Sequence, residues 1–178
     1  LEKYNINIVD VELIKTHGGS LRIFAKKNFI SRKRIQSIEK ILRKEKYLKI
    51  DSLSCQKKFR SKVLKIKKNS LNFIKKIKKN KKIIDAYGAA AKGNTMLNYL
   101  GIRNNKIRFI YDANKLKQNK YLPGTHIKIL NPAMIKKNRP DYIIILPWNV
   151  KTEIIKQLKF AKKWNCKFIT LIPKISIN

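Results

Sequence analysis

The sequence predicts an α/β fold built on a parallel sheet with flanking helices, preceded by a β-hairpin and two long amphipathic helices. Three patterns lead to this prediction. Apolar residues alternate around paired glycines in residues 1–28, they recur at helical spacing through residues 29–80, and short apolar segments alternate with helical patterns in residues 81–178. We therefore expect a hairpin, a helical connector and a Rossmann-like domain with these bounds.

The hairpin is predicted for residues 4–27, with its turn at Thr16-His17-Gly18-Gly19-Ser20. Paired glycines supply the positive φ angles that a tight turn between antiparallel strands requires. A two-stranded hairpin is only marginally stable by itself. Because the sequence also opens with Leu1 inside an apolar pattern, we expect residues 1–28 to be the tail of an upstream domain in a longer protein.

Two amphipathic helices are predicted in the connector. Apolar residues recur at helical spacing through residues 31–49, with basic residues on the opposite face. Asp51 and Ser52 can cap a second helix, which would extend to about residue 79 and measure roughly 40 Å.

Five apolar segments after residue 81 are predicted to be strands. They are residues 82–87, 107–111, 127–130, 142–146 and 168–172. Helices are predicted for residues 92–100 and 150–164, and Pro132 can begin a short one. Because parallel strands need crossover connections, this alternation indicates a parallel sheet with both faces covered.

The charge balance first suggests a surface for nucleic acid or anionic membrane. Lys and Arg number 44 against 10 Asp and Glu, which gives a formal net charge of +34. However, eight of the basic residues are Arg, the side chain best suited to bidentate phosphate recognition, and Lys occurs in every segment. We therefore favour a solvated surface, enriched in Lys by an A- and T-rich gene, over a nucleic-acid interface.

The cysteines and the hydropathy of the sequence indicate the cellular compartment. Cys55 and Cys166 match no metal-ligand or redox spacing, so we expect two reduced structural cysteines and no metal site in this chain. The sequence contains no apolar stretch of roughly 18 residues and no leader pattern. We expect a cytoplasmic protein that does not enter a membrane.

The segment Ala86-Tyr87-Gly88-Ala89-Ala90-Ala91-Lys92-Gly93-Asn94-Thr95 is the most informative for chemistry. A glycine after the first strand permits a tight turn, and the start of the next helix offers N–H groups to an anion. Lys92 can add a positive charge. The segment lacks the complete G-x-G-x-x-G spacing, so a strand-to-helix turn without a ligand remains an equal alternative.

Three further turns contain candidate residues. Asp112 lies near the spacing of roughly 20 residues after Gly88 at which an acid holds a cofactor ribose, although we favour a turn residue. His126 lies in the turn of residues 121–126, and Trp148 and Asn149 follow an apolar strand. Asn149 is also a ready helix cap, and Trp148 a ready packing residue. Because ligands bind outside the carboxyl ends of strands in open sheets, we expect these loops to form one pocket with the Gly88 turn.

His17 is a candidate for proton transfer. Its side chain has the appropriate pKa range, and the adjacent glycines would let a substrate approach the backbone closely. The alternative is a plain hairpin turn in which His17 makes local hydrogen bonds.

Five segments together carry a resemblance to a known family. They are Thr16-His17-Gly18-Gly19-Ser20-Leu21-Arg22, Tyr87-Gly88-Ala89-Ala90-Ala91-Lys92-Gly93-Asn94-Thr95, Gly124-Thr125-His126-Ile127, Arg139-Pro140-Asp141-Tyr142 and Leu146-Pro147-Trp148-Asn149. In this order they resemble the C-terminal domain of class I S-adenosylmethionine (SAM)-dependent sugar C-methyltransferases, over nearly the whole chain. One departure is Ala86, where relatives often have glycine.

The resemblance implies a parent protein with three parts. These are a small zinc-binding N-terminal region, a SAM-binding middle domain, and this domain, which helps to enclose a nucleotide-linked deoxysugar. It implies that SAM binds upstream of this chain, and that His17 lies near the reaction centre. With the loops described above, the predicted substrate site comprises Gly88, Lys92, Gly93, Asn94, Thr95, His126, Trp148 and Asn149.

The leading functional hypothesis is that the intact protein methylates a sugar carbon made acidic by a neighbouring carbonyl. Proton abstraction would give an enolate that attacks the methyl sulfonium of SAM. The chain alone would bind substrate without turnover. The alternatives are a nucleotide- or dinucleotide-binding module without methyltransferase activity, and a basic nucleic-acid-binding protein.

Overall fold

The computed structural model describes residues 1–27 and 35–178. The chain divides into two compact units, Leu1–Ser61 and Lys62–Asn178. The predicted start of the first connector helix, at residue 31, lies outside the described residues. The predicted division into hairpin, connector and Rossmann-like domain stays a prediction.

The first unit contains the predicted hairpin. β1 (Ile6–Ile14) pairs antiparallel with β2 (Ser20–Lys27), and a bulge lies between Ile8 and Asp10. A 3-10 turn at Thr16–Gly18 joins the strands, and Gly18 and Gly19 have φ angles of 88° and 117°. Positive φ is why this turn needs glycine.

Two helices follow the hairpin. α1 (Gln36–Leu48) is anchored to β1 by Ser37, whose hydroxyl donates a hydrogen bond to Asp10 Oδ1 at 2.5 Å. α2 (Leu53–Lys79) is 27 residues long, which confirms the predicted helix. Ser52 caps α2, because its Oγ accepts a hydrogen bond from the Cys55 N–H at 3.2 Å.

The second unit is built on a six-stranded sheet of order β5-β4-β3-β6-β7-β8. Its strands are β3 (Ile84–Tyr87), β4 (Phe109–Tyr111), β5 (Lys128–Leu130), β6 (Tyr142–Ile145), β7 (Lys167–Thr170) and β8 (Ser176–Ile177). The first five pair in parallel, and β8 is antiparallel to β7. This topology confirms the predicted α/β, Rossmann-like fold, because the chain reverses its direction of growth at β3.

Helices cover both faces of the sheet. On one face, the C-terminal half of α2 and α3 (Ala91–Leu100) bury Ile74, Ile77 and Leu97 against β3 and β6. On the other face, α4 (Met134–Asn138) and α5 (Lys151–Gln157) pack on a core that includes Ile143 and Phe168. Each face of the sheet therefore has its own apolar core.

The predicted helix of residues 150–164 is wrong in its second half. α5 ends at Gln157, and a 3-10 helix follows at Lys159–Trp164. Leu158 and Ala161 are buried and Trp164 is half-buried, a spacing of three that matches the period of a 3-10 helix, and Phe160 is half-buried beside them. The two-residue strand β8 was also missed, because so short a segment leaves no pattern in the sequence.

Candidate functional site

The turn after β3 is closed tightly at the carboxyl edge of the sheet. Gly88 has a φ of 88°, and its N–H donates a hydrogen bond to the Tyr111 carbonyl at 2.7 Å. A Cβ atom at Gly88 would lie 2.6 Å from Pro147 Cδ, in the loop that follows β6. Glycine is therefore required here both for its backbone conformation and for space.

Asp112 holds this turn in place. Its Oδ2 accepts the Ala89 N–H at 2.7 Å, and its Oδ1 accepts the Asn114 N–H at 2.8 Å. Lys117 Nζ lies 3.6 Å from Oδ2 and donates to the Ala89 carbonyl at 2.9 Å. Because both carboxylate oxygens bind backbone, the turn interpretation of Asp112 fits the structure better than a ribose contact.

The first turn of α3 uses several predicted site residues for packing. Gly93 is buried, and a Cβ atom there would lie 2.6 Å from Leu146 Cβ, so glycine lets α3 approach the end of β6. Asn94 Oδ1 accepts a hydrogen bond from Asn98 Nδ2 at 2.9 Å. Thr95 Oγ1 donates to the Ala91 carbonyl at 3.1 Å. These contacts set the position of the helix that carries Lys92.

A cavity of about 380 Å³ lies beside this turn. It is bounded by α2, α3, the loop after β6 and the segment after β7, and its lining residues are Val63, Ile66, Lys92, Thr95, Met96, Tyr99, Leu100, Trp148 and Ile172. The structure therefore brings together three predicted site residues, Lys92, Thr95 and Trp148. The Lys92 Nζ lies 5.9 Å from the centroid of the Trp148 ring.

The walls of this cavity are mainly apolar. Two aromatic rings, Tyr99 and Trp148, each lie under an ammonium group, since Lys67 Nζ is 4.6 Å from the Tyr99 ring centroid. Such ammonium–ring pairs are attractive and keep positive charge beside an apolar surface. The cavity can therefore accept a flat, partly apolar group that carries negative charge nearby.

His126 does not join this cavity. It immediately precedes the short segment that enters β5, so it lies at the amino edge of the parallel sheet, opposite the turn at Gly88. Its loop is held there by Asn98 and Arg103, which donate to the carbonyls of Pro123 and Gly124 at 3.1 and 2.7 Å. The expectation that all three loops gather at one edge is wrong for this loop.

Local pairing that the sequence pattern did not reveal holds this loop at the amino edge. Residues 119–122 return beside the start of β5, with hydrogen bonds from the Leu122 N–H to the Ile127 carbonyl and from the Ile129 N–H to the Lys120 carbonyl. This return carries the turn of residues 123–126 to the opposite edge of the sheet.

Comparison with known proteins assigns the chain to a family. The sequence model of the C-methyltransferase C-terminal domain matches residues 15–173. The chain belongs to this family. C-methyltransferase NovU of Streptomyces niveus is 29% identical over 173 residues, which are 97% of this chain and 41% of NovU. This C-methyltransferase C-terminal domain thus spans 41% of the length of that relative.

A solved structure that it matches is UDP-D-quinovosamine 4-dehydrogenase from Vibrio fischeri. The match has a TM-score of 0.38 and 20% identity, and it covers 52% of this chain and 79% of the other.

The remaining predicted site residues lie elsewhere. In the C-methyltransferase C-terminal domain, Asn149 is exposed in the 3-10 turn Trp148–Val150 and is absent from the cavity lining. His17 lies in the 3-10 turn of the hairpin, in the unit Leu1–Ser61. Its place near a reaction centre stays a prediction.

Sequence reasoning missed six of the cavity's lining residues. Met96 and Tyr99 could have been found, because they follow Lys92 by four and seven positions and therefore share its face of α3. Val63 and Ile66 carry no comparable signal, because the packing of α2 on α3 is a non-local contact.

A second polar cluster lies on the other face of the sheet. Asp85 is fully buried in β3, and Arg108 Nε and Nη2 donate to its two oxygens at 3.1 and 2.9 Å. The Tyr111 hydroxyl donates to Asp85 Oδ2 at 2.6 Å and accepts from Asn138 Nδ2 at 3.0 Å. The hydrogen bond to Asp85 raises the pKa of Arg108, and burial together with the Asp85 charge raises the pKa of Tyr111. This cluster fastens β3, β4 and α4 together.

Residues 1–27 and 35–178 contain neither a group of side chains arranged to bind a metal nor a helix that could span a membrane. No group of three or more His, Cys, Asp or Glu side chains in these ranges is arranged to hold a metal ion. None of the helices described there combines the length and apolarity needed to cross a bilayer. Cys55 and Cys166 are free thiols, and burial raises the pKa of the Cys166 thiol to about 12, so it stays protonated at neutral pH.

Proposed function

We propose that this domain is the substrate-binding part of a cytoplasmic, SAM-dependent C-methyltransferase that acts on a nucleotide-linked keto-deoxysugar. The observation that carries the proposal is the cavity that unites Lys92, Thr95 and Trp148 beside the carboxyl edge of the sheet, in a domain of the C-methyltransferase family. An apolar cavity with an ammonium group at its wall suits the nucleotide half of such a substrate.

The methyl donor would bind in a region upstream of this chain. Both carboxylate oxygens of Asp112 accept backbone N–H groups, from Ala89 and Asn114, which supports a role in the turn over contact with a cofactor ribose. The resemblance that implies a SAM-binding domain also implies a zinc-binding region before it. This chain would supply binding and orientation of the substrate.

The hairpin supports an upstream partner domain. Its cross-strand pairs Val11–Ile23 and Leu13–Leu21 share one face, on which Leu13, Leu21 and Ile23 are exposed. A hairpin with an uncovered apolar face gains stability when it joins a larger sheet. We propose that residues 1–28 complete the methyltransferase domain.

The test compares this chain with the longer protein that includes the upstream region. Each is incubated with SAM and a thymidine diphosphate keto-deoxysugar, and methyl transfer is followed by mass spectrometry. We expect transfer by the longer protein and none by the chain alone. Transfer by the chain alone contradicts the division of labour, and absence of transfer by the longer protein contradicts the proposed reaction.

Calorimetry separates the proposal from a dinucleotide-binding module. We expect this chain to bind the sugar nucleotide and not NAD. Tight binding of NAD without binding of the sugar nucleotide would favour the module instead.

A further inference from the structure

The turn between β3 and α3 carries no side chain that could fix its own conformation. Gly88 is the most permissive residue type, and the three residues after it are alanines, which have no polar side-chain group. Ala90 occupies the N-cap position of α3 and makes no capping hydrogen bond with its side chain. The conformation that brings Lys92 to the carboxyl edge therefore depends on contacts from outside the turn.

Two charged side chains from the loop after β4 supply these contacts at Ala89. Asp112 Oδ2 accepts the Ala89 N–H at 2.7 Å, and Lys117 Nζ donates to the Ala89 carbonyl at 2.9 Å. Lys117 Nζ also lies 3.6 Å from Asp112 Oδ2, so the two charges attract each other. The peptide groups on both sides of Ala89 are thus held by charge-assisted hydrogen bonds, which are stronger than neutral ones.

Gln118 and Asn131 hold this loop against the end of β5. Gln118 Nε2 donates to the Asp112 carbonyl at 3.0 Å, and Asn131 Nδ2 donates to Gln118 Oε1 at 3.2 Å. Asn131 follows β5 directly, and its Oδ1 accepts the Ala133 N–H at 2.8 Å. A hydrogen-bonded series of side chains therefore runs along the carboxyl edge from β5 to the turn after β3.

We propose that Lys117 is a positioning residue for the substrate, because it holds the turn from which α3 presents Lys92 to the apolar cavity. The inference rests on the proposed function, to which it adds a residue outside the cavity lining. The Lys117 side chain is 41% exposed, so water can replace its hydrogen bond to Ala89 at little cost in stability. Water does not fix the direction of the carbonyl, however, and a displacement of about 1 Å can cost an active site roughly a hundredfold in activity.

The first experiment measures the affinity of the full chain for a thymidine diphosphate keto-deoxysugar by calorimetry. Lys117→Met removes the ammonium group and keeps a long side chain. The control is Lys115→Met, at an exposed lysine two positions earlier, which makes the same change in net charge. We expect affinity to fall roughly fivefold for Lys117→Met and less than about twofold for the control. The midpoint of thermal unfolding should change by less than about 3 °C in both. A lower midpoint with unchanged affinity would assign Lys117 to stability alone and overturn the proposal.

A double-mutant cycle tests whether Lys117 acts through the turn. Lys92→Gln is combined with Lys117→Met, and affinity for the same ligand is measured. We expect Lys117→Met to cost less than about twofold once Lys92 is replaced, because the positioned charge is already gone. A full additional fivefold loss, as independent sites give, would contradict action through Lys92.

Hydrogen exchange gives a readout that needs no ligand. Lys117→Met should speed amide exchange roughly fivefold in residues 88–92 and leave exchange in residues 84–87 of β3 unchanged. Lys115→Met should change neither segment. Unchanged exchange in residues 88–92 would mean that the turn keeps its conformation without Lys117, which is incompatible with a positioning role.

The outcomes separate this inference from the proposed function. If the unmodified chain and Lys117→Met bind the sugar nucleotide equally well, Lys117 has no positioning role and the proposed function stands. If the unmodified chain does not bind the sugar nucleotide, the proposed function is contradicted and the role of Lys117 falls with it.

Discussion

The two polar regions on opposite faces of the sheet differ in how their charges are satisfied. Around Asp85, each carboxylate oxygen accepts hydrogen bonds from Arg108 or Tyr111, and the carboxylate is fully buried. Around Lys92, an exposed ammonium group lies beside an aromatic ring at the mouth of an apolar cavity. The first arrangement buries its charge within hydrogen bonds, whereas the second places an exposed charge beside an apolar cavity. The difference predicts that one region governs stability and the other governs binding.

The largest expected effect is at Asp85. Asp85→Ala leaves the Arg108 guanidinium and the Tyr111 hydroxyl without their acceptor, which destabilises a buried pair by about 3–5 kcal/mol. Because the Arg108 side chain is 36% exposed, we expect a loss in the free energy of unfolding near the lower end, about 3 kcal/mol. Urea unfolding measures it.

The control is Glu12→Gln, at an exposed pair with Arg22 whose side chains are 48% and 57% exposed. Screening should keep its cost within about 0.5 kcal/mol. A cost at Asp85 as small as that at Glu12 would show that the buried cluster does not fasten the strands.

The next effect is expected at the turn after β3. Gly88→Ala combines a positive φ angle with a contact of 2.6 Å to Pro147, so both strain and overpacking oppose it. We expect a loss of about 2–3 kcal/mol in urea unfolding. The control is Gly101→Ala. Gly101 has a φ of 63°, and a Cβ atom there would have no neighbour within 4 Å, so backbone strain alone should lower the free energy of unfolding by about 1 kcal/mol. Equal losses would mean that the Pro147 contact is relieved without cost.

A binding effect without a stability effect is expected at Lys92. Lys92→Gln removes the charge beside Trp148, and we expect sugar-nucleotide affinity to fall by roughly three- to tenfold with the free energy of unfolding changed by less than about 0.5 kcal/mol. Isothermal calorimetry and urea unfolding on the same sample measure the two quantities. A loss of stability without a loss of affinity would reverse the contrast with Asp85.

The smallest effect is a pH dependence at the amino edge of the sheet. Burial opposes ionisation of Asp141, but hydrogen bonds from the Ile83 N–H and from Lys82 outweigh it and lower the pKa of Asp141 below 3.8. A depressed pKa stabilises the folded state above 3.8, and this stabilisation is lost as the pH falls through the lower folded value. Asp141→Asn should therefore flatten the decline in stability below pH 4, as followed by thermal unfolding across that range. An unchanged decline would assign it to other carboxylates.

The sequence predicted the parts of the fold that local patterns encode. The length of α2 follows from its helical apolar spacing, and the strand cores of β3 and β6 follow from short apolar segments that end at Gly88 or Pro147. Lys92 and Trp148 were correctly expected to meet, because both follow the carboxyl end of a strand in the same parallel sheet.

What failed depended on contacts that the sequence pattern does not reveal. His126 was assigned to the wrong edge because hydrogen bonds between residues 119–122 and 127–129 redirect its loop. The sequence did not predict the buried cluster around Asp85, because its partners Arg108 and Tyr111 are 23 and 26 positions away. The cavity wall from α2 depends on helix packing, which the periodicity of a single helix does not determine.

The pairing beside β5 has a consequence for the behaviour of the sheet in concentrated solution. Open ladders at the margins of a sheet recruit strands from other molecules and start aggregation. At one margin, the main chain around Lys120 already occupies the hydrogen-bonding groups of Ile129. At the other, β8 has two residues and offers a foreign strand little length to grip. Both margins of this sheet are thus protected, so strand-to-strand association through the six-stranded sheet should be disfavoured.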